Sequence, residues 1–544
     1  MNWYLMVIAL YAVLLIAVGV IISRKVKGAD DFFVGGRKMA PFLLFITLVA
    51  PNIGAGSTVG VAGMGFTSGI SAAWWIIASA VGTFILAFVI GPKIWEIAKN
   101  HGFYTLGDYL EYRYNRYFRG LISLMMAIGT LAIFAGQLMG IAWILSVVAE
   151  IDKTTGVLIA SVVVVLYFCA GGFLSAVYAN LIEAGVKLVG FIVAVPLVLS
   201  FVGGLDGLQA KVVANMADVA KSTAYFSFDG LGNTVIMGFF LMLMPSFFLS
   251  PALIGKVYSA RDKNTVRIST FACGLVMLLF SIIPVTLGMA AYAIAPDLPQ
   301  QDLALPYVMK ECMPFWASAL ALAAIFSAEI SAADAVLYMI TTSFTKDLYK
   351  SFINPNVSDE SLIKGSRFVT VMAGIIGIGL AIVLPNVISA LSIFYSLMSV
   401  SITAPLLFGL FTKRSSASAA IISTIVGIIV TVGLDLFNGN KGIWILNAQS
   451  TAIMLTLIIM FIMMFVTIIG NVISDRFVIK RATLIFKLKS LFYQRKLSVD
   501  FTRLILYLLA KILYLVSLYC SKPCISLMQS VSTYILRVIS NLSK

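Results

Sequence analysis

The sequence has one histidine, five cysteines and few charged residues, and each shortage excludes a class of protein. Asp, Glu, Lys and Arg make up 11% of the 544 residues, whereas soluble domains carry about 25%. The single histidine, His101, has no cysteines around it at the spacing of a zinc site. A lone histidine also gives no acid–base constellation of the kind that enzymes use. The composition therefore argues against a soluble domain, a metal-cluster protein and an enzyme.

Long apolar runs take up most of the chain instead. Hydrophobic residues account for 61% of the sequence and the mean hydropathy is +1.02. Runs of about 20 apolar residues are long enough to cross a bilayer as a helix. We therefore predict an all-α polytopic membrane protein with about 13 transmembrane helices, at residues 4–22, 41–65, 71–92, 120–149, 156–173, 182–204, 231–254, 269–293, 314–345, 368–385, 389–411, 418–436 and 450–473.

The charges between these helices predict an orientation in the membrane. Lysine and arginine collect in alternate loops, while the intervening loops are poor in both and one, APDLPQQDLALP, is acidic. Basic loops stay in the cytoplasm. This pattern places the amino terminus outside and the carboxyl terminus inside, and it assigns Lys256 to a cytoplasmic loop. The net charge of +15 is then explained by loops and lipid headgroups rather than by nucleic acid.

The last part of the chain is basic and amphipathic. Residues 476–544 mix lysine and arginine with aliphatic and aromatic residues, as in FVIKRATLIFKLKSLFYQRK. We predict a cytoplasmic tail that lies on the inner leaflet and binds anionic lipid. A fourteenth span in LILYLLAKILYLVSLYC is the alternative, but it would place Lys522, Arg537 and Lys544 outside, against the charge rule.

The second predicted helix contains an unusual number of helix-breaking residues. Its sequence LVAPNIGAGSTVG includes Pro51, Gly54 and Gly56. Such residues at membrane depth fit either close helix packing or a break whose carbonyls line a cavity or meet an ion. We favour a break, which would expose carbonyl oxygens between Ala50 and Ile53. Carbonyl oxygens suit a small hard cation such as Na⁺.

A second polar segment lies inside an apolar helix, at SAEISAADAVLYMITTSFTKDLYK. Ionisable residues at this depth indicate a functional site. Helical spacing places Ser331 beside Asp334 and on the same face as Ala328, which predicts a cation-binding stripe. Glu329 points to the opposite face, where we expect a pairing with a buried lysine or with backbone.

Several motifs together resemble the sodium:solute symporter family. They are FFVGGRKM, APNIGAG, GGFLSAVY, SPALIGKVYSARD and FSAEISAADAVLYMITTSFTKDLYK, and the resemblance covers about residues 4–473. It implies sodium-coupled symport of a small solute by alternating access. It also implies a LeuT-like core of two inverted five-helix repeats in 41–411. A first helix and cytoplasmic loop in 1–40 would precede this core, and additional transmembrane helices in 412–475 would follow it.

The resemblance carries a sodium site onto particular residues. The site would use the carbonyls of Ala50, Ile53 and Ala328 and the hydroxyl of Ser331. Ala332 stands where the family has a second hydroxyl. In some members an Asp on the fifth repeat helix supports a second sodium; this chain has Asn180 there and carries Asp334 on a neighbouring helix. Asp334 could thus bind a cation, carry a proton or bind an amine, and Ser331, Asp334 and Asn180 form a candidate second cation site.

The substrate pocket is marked only weakly by the sequence. The expected lining residues are polar and lie near the breaks: Asn52, Ser57, Thr58, Gln137, Ser246 and Ser250. The pocket is expected to be small, apolar and without the aromatic cage that a quaternary ammonium needs, so an amino acid or small organic acid is favoured. The alternatives are a proton-coupled symporter that uses Asp334 and a transporter-like membrane sensor.

Overall fold

The computed structural model describes residues 2–23, 37–216, 218–438 and 446–482. These residues form helices joined by short segments, with one isolated β-bridge between Met39 and Ala260, so the all-α class is confirmed. Most of the FFVGGRKM motif and the tail beyond Ala482 lie outside the described residues. The chain divides into two compact units, one running to Ser399 and the other beginning at Val400.

Twenty α-helices follow one another along the described chain. The first ten are α1 (Trp3–Ser23), α2 (Pro41–Asn52), α3 (Val59–Ser68), α4 (Trp74–Ile85), α5 (Gly91–His101), α6 (Leu106–Arg113), α7 (Arg116–Ala149), α8 (Lys153–Val202), α9 (Gly204–Asn215) and α10 (Val219–Tyr225). The others are α11 (Asn233–Leu249), α12 (Pro251–Tyr258), α13 (Lys263–Phe280), α14 (Ile282–Ile294), α15 (Ala304–Glu311), α16 (Phe315–Thr342), α17 (Asp359–Val383), α18 (Val387–Phe411), α19 (Ala417–Asn438) and α20 (Ala448–Ala482). A π-helical segment, Ser343–Ile353, extends α16.

Each predicted span falls on apolar helix. Ten helical segments of the described chain are long and apolar enough to cross a membrane, and three shorter apolar helices accompany them at Trp3–Val18, Pro41–Asn52 and Lys153–Cys169. Helix α8 contains the predicted span 156–173 and all but the last two residues of the span 182–204, without a non-helical residue between them. A straight helix of this length would extend about 75 Å, against a hydrocarbon thickness of about 30 Å. Helix α8 is therefore longer than a single crossing requires.

Both predicted repeats begin with an interrupted helix. Helices α2 and α3 are separated by Ile53–Thr58, and α11 and α12 are separated at Ser250, whose φ of −51° and ψ of 121° leave the helical region. Lys256 lies in α12 and is only 5% exposed. The assignment of Lys256 to a cytoplasmic loop was therefore wrong, because the second half of the interrupted helix extends beyond the apolar run that marked it.

A buried ionic cluster joins α6, α7 and the π-helical segment. Arg119 contacts Asp108 at 3.0 Å, Glu111 at 2.7 Å and Asp347 at 2.5 Å. Thr105 Oγ1 donates to Asp347 at 2.8 Å. Burial alone would raise the pKa of Asp108, but Lys346, Arg119 and two backbone N–H groups together lower it below its usual value. The cluster holds three chain segments in one arrangement through charge.

The acidic loop before α15 folds inward. Asp302 is 1% exposed, and its Oδ2 accepts a hydrogen bond from the backbone N–H of Val387 at 2.9 Å, at the start of α18. Oδ1 has no hydrogen-bond partner among the described residues. Burial raises the pKa of Asp302 to about 6. The loop therefore carries a carboxyl group whose charge is poorly compensated.

Candidate functional site

The break between α2 and α3 follows from its sequence. Pro51 has no N–H, so it cannot donate to the carbonyl of Thr47 four residues earlier. Gly54 N–H, the usual donor for Ala50, donates instead to Ser57 Oγ at 3.1 Å. Ser57 N–H, the usual donor for Ile53, turns back to Gly54 O at 2.9 Å. The predicted break is confirmed, and it leaves carbonyls at membrane depth without helical partners.

A lysine ammonium group reaches the oxygens freed by this break. Lys187, 1% exposed on α8, places Nζ 2.5 Å from Ala50 O and 3.4 Å from Ile53 O. It also donates to Ser331 Oγ at 2.5 Å. Ser331 Oγ lies 2.9 Å from Ala50 O and 3.1 Å from Ala328 O. The four core residues of the predicted sodium site thus come together, with Lys187 Nζ against three of them.

Sequence reasoning did not identify Lys187. The signal was present, since Glu183 and Lys187 form an i, i+4 pair inside an apolar helix, which is the spacing of a helical ion pair. Their charges do interact, although both carboxylate oxygens of Glu183 have no hydrogen-bond partner among the described residues. Glu183 contributes through its backbone as well, because its carbonyl accepts from Ser327 Oγ at 3.2 Å.

Glu329 lies on the other side of the break. Its Oε1 accepts a hydrogen bond from Thr58 Oγ1 at 2.9 Å, and its charge interacts with that of Lys187. This agrees with the predicted proximity of a buried lysine. Thr58 is fully buried and does not line the cavity described below. The structure therefore places Thr58 as a contact of Glu329 rather than as a pocket residue.

Asp334 has a cationic neighbour that the sequence did not reveal. It is 5% exposed, and its charge interacts with those of Lys256 on α12 and Glu183 on α8. Asn180 lies one turn before Glu183 on α8 and is 3% exposed. Asp334 does not line the cavity, which argues against binding of an amine substrate by its carboxylate. The second cation site at Ser331, Asp334 and Asn180 stays a prediction.

A cavity of about 70 Å³ lies beside the break. Five predicted pocket residues line it: Asn52, Ser57, Gln137, Ser246 and Ser250. The hydroxyl groups of two of them already hydrogen-bond to backbone carbonyls: Ser57 Oγ donates to Asn52 O at 2.9 Å, and Ser246 Oγ donates to Met242 O at 2.7 Å. Gln137 Oε1 accepts from Ala55 N–H at 3.0 Å. None of the described residues that line the cavity is charged.

The sequence did not identify the aromatic residues of this cavity. Trp75, Phe247, Phe394 and Tyr395 all line the cavity. Tyr395 is the centre of this aromatic wall, with ring centroids 6.1 Å from Trp75, 5.9 Å from Phe247 and 5.3 Å from Phe394. The wall combines residues from α4, α11 and α18. The predicted pocket residues were chosen near the two breaks. The sequence alone did not show that rings from three separate helices would meet here.

No group of three or more His, Cys, Asp or Glu side chains in the described part of the chain could hold a metal ion. The oxygens around Lys187 are carbonyls and a hydroxyl, which suit an alkali cation or an ammonium group.

Comparison with known proteins connects this geometry to transport. The sodium:solute symporter family profile matches residues 32–427. The sodium/glucose cotransporter of Vibrio parahaemolyticus is 25% identical over 472 residues, covering 80% of this chain and 84% of that protein. The sodium/pantothenate symporter of Escherichia coli (strain K12) is 26% identical over 438 residues, covering 79% of this chain and 89% of the relative.

Solved structures support the same fold. A Na⁺-coupled sialic acid symporter in a substrate-bound outward-open state matches with a TM-score of 0.70 and 21% identity, covering 85% of this chain and 97% of that chain. A nucleobase-cation-symport-1 family transporter matches with a TM-score of 0.54 and 14% identity, covering 80% of this chain and 93% of the other. The predicted LeuT-like class is confirmed. The chain belongs to the sodium:solute symporter family, a family of multi-pass membrane transporters whose coupling ion is Na⁺.

Proposed function

We propose that the protein couples the inward movement of Na⁺ to the uptake of a small organic solute by alternating access. One observation carries the proposal: a single helix break contributes to both places that coupling requires. Asn52 and Gly54 line the cavity, while the carbonyls of Ala50 and Ile53 in the same break accept hydrogen bonds from Lys187 Nζ, at the place where we propose that Na⁺ binds. A change in the backbone conformation of this break would therefore alter both the cavity and the proposed cation position.

The sodium ion is proposed to bind the carbonyls of Ala50, Ile53 and Ala328 and the hydroxyl of Ser331, with Asp334 as a further acidic group nearby. Broken helices supply such ligands in transporters of this architecture. We propose a cell-membrane location with the amino terminus outside and the carboxyl terminus in the cytoplasm. Contact of residues 476–544 with anionic lipid belongs to the same proposal.

For the solute, we favour an amino acid or a small organic acid. The uncharged cavity and the helix starting at Pro251 fit a carboxylate bound by backbone N–H groups rather than by a fixed cation. The aromatic wall supports a second candidate, a solute with a flat ring or a cationic apolar group, because both kinds of group bind aromatic faces. The family match does not favour the proton-coupled reading or the membrane sensor.

The test is uptake into proteoliposomes under an imposed inward Na⁺ gradient. A panel of labelled solutes would include amino acids, small carboxylates, sugars and quaternary amines. We expect accumulation of one class, lost when N-methyl-D-glucamine replaces Na⁺ outside. The control is the same vesicle with the gradient collapsed by a sodium ionophore. Equal accumulation under a proton gradient without Na⁺ would reject sodium coupling.

A further inference from the structure

We propose that the ammonium group of Lys187 is a tethered cation that occupies the predicted sodium site and competes with Na⁺ for it. The inference rests on the proposed function, because it concerns the same cation site. It adds Lys187, a residue that the family resemblance did not supply. It also implies that Na⁺ must displace the ammonium group in order to bind.

The first step is the match between the ammonium group and the oxygens. A lysine ammonium group has three N–H donors and no acceptor. Lys187 Nζ has three oxygen neighbours, at 2.5 Å from Ala50 O, 2.5 Å from Ser331 Oγ and 3.4 Å from Ile53 O. Two of these oxygens are carbonyls that the break deprived of helical donors. Lys187 therefore supplies the positive charge that these oxygens attract.

The second step is that the position admits one cation at a time. Lys187 Nζ stands against three of the four core residues proposed to bind Na⁺, and two positive charges at such a distance inside a protein repel strongly. Ala332 also replaces the second hydroxyl that the family resemblance implies, so this chain offers Na⁺ fewer oxygens. Sodium binding at this position requires the ammonium group to withdraw.

The third step concerns the surroundings of Lys187. Its side chain is 1% exposed, so water does not stabilise the charge. The carboxylates of Glu183 and Glu329 interact with it electrostatically, and both are fully buried. The lysine thus links α8 to α2 and α16 through contacts with Ala50, Ile53 and Ser331. Removing only the ammonium group should free the oxygens for an added cation.

The experiment compares Na⁺ binding by the wild-type chain and by Lys187→Met. Binding of ²²Na⁺ is measured on the purified full-length protein in detergent, with K⁺ or choline keeping the ionic strength constant. We expect Lys187→Met to bind Na⁺ at least about tenfold more tightly than the wild type, a difference of about 1.4 kcal/mol. Adding Ser331→Ala to Lys187→Met should abolish the gain, because it removes a ligand.

Two matched variants keep the inference falsifiable. Lys187→Arg retains a positive charge and should show no gain in Na⁺ affinity. Lys187→Gln retains an N–H₂ donor for Ala50 O and is made in parallel, in case Lys187→Met does not fold; it should also gain affinity. Equal Na⁺ affinity in the wild type, Lys187→Met and Lys187→Gln would overturn the inference, as would a gain that survives Ser331→Ala.

The two proposals fail separately. If wild-type uptake proves independent of Na⁺, the proposed function fails, while the binding comparison among the Lys187 variants is still valid. If uptake depends on Na⁺ but the wild type already binds the ion as tightly as Lys187→Met, only the tethered cation is refuted.

Discussion

Lys256 donates a hydrogen bond from Nζ to the backbone carbonyl of Thr47 at 2.6 Å. This is the carbonyl that Pro51 leaves without its usual helical donor. A lysine from the second interrupted helix therefore completes the hydrogen bonding of the first. Both partners are buried, and a cation near the carboxyl end of α2 is also favoured by the helix dipole.

The positive charge of Lys256 also interacts with the carboxylate of Asp334. The effects of substituting the two residues on the free energy of unfolding should therefore not be additive. We expect Lys256→Met to lower the free energy of unfolding by about 1–3 kcal/mol, because it leaves the buried carbonyl of Thr47 without a donor and removes a positive charge that interacts with Asp334. Asp334→Asn in the same chain should recover part of this loss. Thermal unfolding in detergent measures the four members of the cycle.

Strictly additive losses in that cycle would contradict the pairing. An altered Na⁺ dependence of uptake in Asp334→Asn, with no energetic coupling to Lys256, would instead support the second cation site at Ser331, Asp334 and Asn180. The outcome therefore separates a fixed counter-ion from a mobile one.

The aromatic wall should determine solute affinity. We expect Tyr395→Ala to raise the KM for solute about tenfold or more, because it removes the ring that contacts the other three, and an aromatic contact contributes about 1 kcal/mol beyond its buried area. Tyr395→Phe keeps the ring and should behave nearly as the wild type. Uptake kinetics at saturating Na⁺ are the measurement.

Ser246→Ala is the matched control for that experiment, since the Ser246 hydroxyl also lines the cavity but donates to the backbone carbonyls of Met242 and Tyr395, which Tyr395→Ala retains. A larger effect on solute KM from Ser246→Ala than from Tyr395→Ala would show that the hydroxyl, not the ring, contacts the solute.

The buried ionic cluster should be a major source of stability. We expect Arg119→Ala to destabilise the protein by about 3–5 kcal/mol, because it leaves Asp347 buried without its guanidinium partner. Lys364→Ala breaks the exposed Lys364–Glu360 pair, whose side chains are 72% and 78% exposed, and should change stability far less, because water screens an exposed pair. Similar losses of thermal stability in the two variants would refute this difference.

Asp302 should make stability depend on pH in a defined window. Its pKa is raised from the usual 3.8 to about 6 by burial, so the folded state binds the proton more tightly than the unfolded state. Its contribution is most favourable below about pH 4, falls as the pH rises to about 6, and is constant above that. The shift corresponds to at most about 3 kcal/mol.

The check is Asp302→Asn, which keeps an oxygen acceptor for Val387 N–H. Melting temperatures of the variant and the wild type should be similar near pH 4, and the variant should be the more stable of the two at pH 7. A variant that is less stable than the wild type at pH 7 would show that the ionised carboxylate is net favourable.

Features set by local sequence were predicted well, and features set by packing between distant helices were not. The break at Pro51 and Gly54 was predicted because helix-weakening residues are concentrated in that short stretch. The grouping of Ala50, Ile53, Ala328 and Ser331 followed from a family resemblance. Lys187 and Tyr395 were not predicted, because their contacts are made with residues of other helices. An i, i+4 acidic–basic pair in an apolar helix was the one local sign of Lys187.

Lys256 was misassigned for a different physical reason. The hydropathy of a helix falls where a charge enters it, so a lysine near the end of an apolar run resembles the first residue of a loop. Lys256 is buried where its ammonium group meets the carbonyl of Thr47, which lies more than 200 residues earlier in the chain. A local hydropathy pattern does not contain this contact. This hydrogen bond between Lys256 and Thr47 can be recognised only in the folded structure.

The contacts of Lys187 also bear on how the chain enters the membrane. An uncompensated lysine inside a spanning helix opposes its insertion into the membrane. Glu183, on the same helix, can offset part of that penalty as soon as α8 forms. The carbonyls of Ala50 and Ile53 precede Lys187 in the chain and are synthesised first, whereas Ser331 follows about 140 residues later. During synthesis, α2 would thus be present as a partner when α8 arrives, and α16 would join a pair of helices already held together by the lysine.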